Sequence, residues 1–175
     1  MNKVLRWPVR FLCPLLVAYC FSFSSCNTID LYERVVSIPA QQWQSKFKPQ
    51  FTFQIKDTTV PYEIFVLFRH NNQYKYNNIW VKLSAKAPTD TAQTLSLELP
   101  LANKEGWLGT GMDDVFAHRI RVTSEAEKFT FLKPTANAFY FSKAGEYNFT
   151  LEQIMRDDPL LHVLDVGLRL EKKTP

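Results

Sequence analysis

The amino-acid sequence predicts an all-β fold: an antiparallel β-sandwich of jelly-roll-like form with about eight or nine strands, preceded by an N-terminal lipoprotein signal peptide. Three observations predict it. Apolar and polar residues alternate with period two through most of the chain, Pro, Gly, Asn and Asp punctuate those runs, and residues 1–25 differ in kind from everything after them.

The leader comes first in the chain. Lys3, Arg6 and Arg10 supply positive charge, no acid appears, and Phe11 to Phe23 is almost wholly apolar, as in an export signal. The run is shorter than the roughly 18 to 20 residues a membrane-spanning helix requires. Ser24 and Ser25 precede Cys26, the arrangement in which a bacterial lipoprotein cysteine is lipidated and becomes the new N-terminus. Residues 26–30 then form the lipidated cysteine and a short tether, and 31–173 a single β-sandwich domain. Cys13 and Cys20 leave with the leader, so residues 27–175 have no sulfur for a disulfide or a cysteine-based zinc site. The formal charge of +4 also belongs largely to the leader. Without it, 18 basic residues face 17 acidic ones, and the scattered charge offers no footprint for nucleic acid.

Along the domain, Leu31 to Ile38 reads as an entry strand, followed by a loop that carries Trp43. Phe51, Phe53 and Ile55 alternate with Thr52 and Gln54, and Asp57-Thr58-Thr59 turns the chain into Tyr62 to Phe68, apolar enough for a central strand. Ile79 to Ala85 and Thr94 to Leu99 form a hairpin with Trp80 opposite its aliphatic stripe. Gly106, Gly109 and Gly111 around Trp107 predict an irregular loop. Weaker strands are expected at Arg119 to Thr123, Phe129 to Leu132 and Ala138 to Phe141, and stronger ones at Tyr147 to Leu151 and Val163 to Leu170. The one segment of helical flavour, Leu151 to Arg156, predicts at most a turn or two.

Chemistry is sparse in the pattern. His70, His118 and His162 lie far apart without metal-ligand spacing and read as ordinary surface or loop histidines. Asp113-Asp114 and Asp157-Asp158 are carboxylate pairs whose ordinary fate is to face water, with Gly109 and Gly111 near enough in sequence to raise a cation site at the first. No nucleophile elbow and no phosphate-cradling glycine loop is present, so no catalytic residue, metal or cofactor is assigned. Trp43, Trp80 and Trp107 are the candidates for stacking on sugar rings, against the commoner role of core aromatics.

Five stretches stand out together: Phe51-Thr52-Phe53 before Asp57-Thr58-Thr59, Leu67 to Asn72, Trp107-Leu108-Gly109-Thr110-Gly111, Leu151 to Asp157, and Asp165 to Glu171. In this order they resemble the GldH family of gliding-motility lipoproteins of Bacteroidetes. The resemblance implies a non-catalytic envelope lipoprotein, a component or stabiliser of the gliding and type IX secretion machinery. Its partners would be the membrane, through the lipid, and other envelope proteins of that assembly. The alternative is a glycan-binding β-sandwich lipoprotein. Residues 27–30 lack the acidic run that resembles a surface-export signal in this phylum, so attachment to the outer membrane facing the periplasm is expected. Asp57-Thr58-Thr59 and Asp90-Thr91-Ala92 resemble the O-glycosylation sequon of the phylum, making Thr58 and Thr91 candidate acceptors.

Overall fold

The computed structural model describes residues 31–122, 128–135 and 138–173; the leader, Cys26 and the tether lie outside them. Eight strands of six or more residues carry the architecture. They are β1 (Leu31–Ser37), β3 (Gln50–Ile55), β4 (Tyr62–Asn71), β5 (Asn78–Lys86), β6 (Gln93–Pro100), β10 (Val115–Arg121), β13 (Gly145–Gln153) and β15 (Val163–Lys172). Short strands fill the connections: β2 (Gln42–Trp43), β7 (Ala102–Asn103), β8 (Gly106–Trp107), β9 (Thr110–Met112), β11 (Leu132–Pro134), β12 (Phe139–Phe141) and β14 (Leu160–Leu161).

The first sheet runs β1-β15-β4-β10-β9, with β12 on the start of β4 and β11 on β12. The second runs β3-β13-β5-β6. Numbering only the eight long strands, the orders are 1-8-3-6 and 2-7-4-5, the arrangement of a double Greek-key jelly roll. The chain therefore changes sheet at nearly every connection, and only β5 and β6 are consecutive long strands in one sheet.

Alternation accounts for the elements. In β3 the pattern exposed-buried repeats without a break, and Phe51, Phe53 and Ile55 enter the core. Tyr147, Phe149 and Leu151 of β13 and Ile79, Val81, Leu83 and Ala85 of β5 share that inner face. Ile64, Val66 and Phe68 of β4 meet Val166, Leu168 and Leu170 of β15 on the other. Phe53, Phe141 and Tyr147 close the core at one end, with ring centroids 4.8 to 6.1 Å apart.

The predicted hairpin forms with Trp80 opposite Glu98, both on the outer face. Two segments are more regularly paired than the sequence pattern indicated. No helical turn occurs at Leu151 to Arg156: β13 stays paired with β5 to Gln153, whose buried side chain then organises the following loop. Gln153 Nε2 donates to the Trp43 and Asp157 carbonyls, and its Oε1 accepts from Met155 N at 2.8 Å. The glycine-rich segment is not wholly irregular either. It folds as β7, β8 and β9, and β9 pairs with the start of β10.

Candidate functional site

The outer face of the first sheet is built by residues that alternate away from the core. Glu33, Arg169, Phe65 and Arg121 form one cross-strand row, and Val35, Gly167, Leu67 and Arg119 the next. Ion pairs bind the rows together. Arg169 reaches Glu33 at 2.5 Å and Glu171 at 2.7 Å, Arg119 takes the other Glu171 oxygen, Arg121 meets Glu63 at 3.0 Å and Arg69 meets Asp165 at 2.8 Å. The Arg119 guanidinium lies 4.1 Å above the Phe65 ring, which explains how an outward phenylalanine is almost fully covered. Hydrogen bonds from Arg169 to Glu33 and then to Glu171 hold its pKa above the ordinary arginine value. Single exposed pairs of this kind contribute little stability, but four arginines fixed against four carboxylates present a preordered polar surface. Beneath them Val35 and Leu67 leave an apolar strip beside Gly167, where a Cβ would lie 2.7 Å from the Arg34 carbonyl.

At the far end of β4 and β10 lies a buried histidine pair. His70 and His118 take inward slots in the patterns Val66-Phe68-His70 and Phe116-His118-Ile120, and their Nε2 atoms are 2.9 Å apart. His70 Nδ1 is 2.8 Å from the Asn71 carbonyl, which can only accept, so Nδ1 carries the proton. His70 Nε2 is then the acceptor, and His118 Nε2–H donates to it. Burial lowers both pKa values, and for His118 the neighbouring His70 adds to it, bringing His118 to about 4. The pair is neutral at pH 7. Trp107 covers it, with its ring centroid 4.4 Å from that of His70, while Tyr74 and Phe116 flank it. The surface or loop reading of these two histidines is thereby corrected. Their place in the alternation was the available signal, and it was passed over because histidine is not counted as apolar.

Close packing seals this end. A Cβ on Gly109 would lie 2.4 Å from the Ala117 carbonyl and 2.9 Å from His118, so only glycine lets the Trp107 loop lie on β10. Asn72 fastens the adjacent turn, its Nδ2 donating to Asp114 at 2.9 Å. Asp157 accepts from Tyr76, and Asp158 from Ser45 N and Oγ, which lowers the Asp158 pKa. Among the described residues no three His, Cys, Asp or Glu side chains converge on one point, and neither paired histidine hydrogen-bonds a carboxylate. No helix among them is long and apolar enough to cross a membrane.

The family model described as GldH lipoprotein matches residues 30–170, from just before β1 into β15. The chain belongs to the GldH lipoprotein family. It is 27% identical over 158 residues to the gliding motility lipoprotein GldH homolog of Christiangramia forsetii, covering 86% of this chain and 88% of that one. To the gliding motility lipoprotein GldH of Flavobacterium johnsoniae it is 26% identical over 167 residues, covering 91% and 94%. Among solved structures, the infectious bursal disease virus VP2 subviral particle aligns at 13% identity over 79% of this chain and 32% of its own, with a TM-score of 0.27, too distant to carry an argument.

Three of the strings that carry the GldH resemblance, Leu67 to Asn72, Trp107 to Gly111 and Asp165 to Glu171, meet in these two places. Leu67 and Arg69 of β4 stand beside Gly167, Arg169 and Glu171 of β15 on the outer face, while His70 and Trp107 join at the sealed end. The three candidate stacking indoles do not come together. Trp43 is fully buried, its Nε1 donating to the Phe47 carbonyl at 2.8 Å. Trp107 is half-buried on His70, and Trp80 is exposed on the second sheet beside Glu98. Thr58 and Thr91 both lie in turns at the end where β1 begins. Asp57 is occupied by accepting from Thr59 N and Oγ1, the cause of its lowered pKa.

Proposed function

We propose that this chain is a lipid-anchored envelope protein, attached through acylated Cys26 to the outer membrane and facing the periplasm, where it serves as a non-catalytic component or stabiliser of the gliding and type IX secretion machinery. The observation that carries the reading is the family match over nearly the whole domain. Support comes from the outer sheet face, where ordered arginine–carboxylate pairs around Val35 and Leu67 suit contact with another protein better than bond chemistry. The exposed large apolar side chains, Leu31, Val35, Trp80, Leu108, Met112 and Leu161, are spread over several elements, so the mixed face is the better candidate than any single greasy patch.

Envelope fractionation tests the anchor and cross-linking tests the surface. Cys26→Ser should leave the membrane fraction while keeping its circular dichroism; unchanged retention would remove the anchor. Arg69→Glu with Arg169→Glu should stay membrane-bound yet lose its cross-links to components of that machinery. A second reading, glycan binding, rests on Trp80 beside Glu98 on a face of Ser84, Thr94 and Ser96. It requires Trp80→Ala to abolish retention on a glycan column.

A further inference from the structure

We propose that the end of the sandwich where β1 begins is a basic face that lies on the anionic headgroups of the membrane holding the Cys26 lipid. The inference rests on the anchor proposed above and adds how the domain sits on it.

Reach comes first. Cys26 and Leu31 are five residues apart, and extended chain spans at most about 3.6 Å per residue, so the tether reaches about 18 Å. Leu31 pairs with Glu171, and the same end holds the start of β4, the end of β3 and the start of β13. A ten-residue strand such as β4 is roughly 33 Å long. The tether therefore cannot let the histidine end face the bilayer with the anchor end pointing away.

Charge then decides between standing on this end and lying on a sheet face. Among the described residues the anchor end comprises 56–61, 86–92, 122, 128–135, 138–144 and 172–173. Its segments carry Lys56, Lys86, Lys128, Lys133, Lys172 and Lys173, with Lys143 held by Asp90 at 2.7 Å. Lys172 neighbours Asp57. Lys56, Lys86, Lys128 and Lys133 are exposed, and neither they nor Lys173 form an ion pair among the described residues. Against the seven lysines the described segments hold two acids, Asp57 and Asp90, and even with Glu125 and Glu127 of the intervening sequence counted against them the balance is +3. The opposite end, 38–49, 72–77, 101–114 and 154–162, carries five basic and five acidic residues. The outer face of the first sheet is likewise balanced, its four arginines paired with four carboxylates. Uncompensated positive charge thus collects where the tether holds the domain closest to lipid, within the short range over which a surface potential acts. A consequence is that the outer sheet face and the sealed histidine end remain open to partners. Thr58 and Thr91 lie on the basic end, so a glycan on either would stand between it and the bilayer.

The test uses the native lipidated protein, purified from membranes and reconstituted into phosphatidylcholine vesicles with or without about one-quarter phosphatidylglycerol. Flotation is scored first, and lysine acetylation by a soluble ester is then mapped by mass spectrometry. Lys56, Lys133 and Lys173 should react about threefold or more slowly on the anionic vesicles, with Lys46, Lys75 and Lys104 unchanged, and about 0.5 M salt should remove the difference. Lys56→Glu with Lys173→Glu should float equally well and lose the protection of Lys133. Flotation with equal reactivity at both ends would overturn the basic face and leave the anchor standing. Failure to float would overturn the anchor, and the orientation with it. Sugar found on Thr58 or Thr91 of the native protein would also overturn the orientation.

Discussion

At the scale of single residues, the histidine pair has a measurable consequence. Burial sets the folded pKa of His118 near 4, below the ordinary value of 6.5 that applies to the unfolded chain. As pH falls below 6.5 the unfolded chain takes up a proton that the folded one refuses, so stability present at neutral pH is lost down to the folded pKa. Denaturant melts at pH 7 and pH 5 should differ by about 2 kcal/mol from this group, and His118→Leu should flatten the difference. An unchanged pH slope in that variant would show the pair to be uninvolved. Nitrogen chemical shifts should report protonated Nδ1 on His70 and protonated Nε2 on His118, because the Asn71 carbonyl dictates the first and the first dictates the second.

Among the elements, the Trp107 loop and β1 are held by close approach. Gly109→Ala would drive a methyl group into the Ala117 carbonyl and the His118 ring, and should lower stability by roughly 1–3 kcal/mol in chemical denaturation. Deuterium uptake should rise first in β8 and β9 if the lifted loop is the cause. Gly167→Ala would push on the Arg34 carbonyl and should loosen β1 selectively, seen as faster exchange of the β1 amides with β5 and β6 unaffected. The hairpin, the alternating strands and the turn at Asp57 were legible in the sequence because each depends on neighbours within a few residues. The continuation of β13 past Leu151 was not, because Gln153 is fixed by Trp43 from the other end of the chain. Nor was the burial of Trp43, whose flanking Gln42 and Gln44 suggest a loop surface while its indole fills the space beside Leu160 and Phe47.

In the whole molecule, the first and last strands among the described residues close the fold. β15 sits between β1 and β4, so a chain ending at His162 would lose the middle of the first sheet and expose Val66 and Phe68. Such a truncation should show no cooperative melting transition; a retained transition would mean that the second sheet folds alone. What the sequence by itself determined was the class: period-two alternation, no cysteine after residue 26, nearly balanced charge from that residue on, and the strings of the GldH family. Alternation tells each strand which side is buried, a local property that needs no partner. Only the tertiary structure decided which strands pair, which histidines meet and which charges share a face. Those relations join residues tens of positions apart, and they are set by how two twisted sheets close over one core rather than by any local preference.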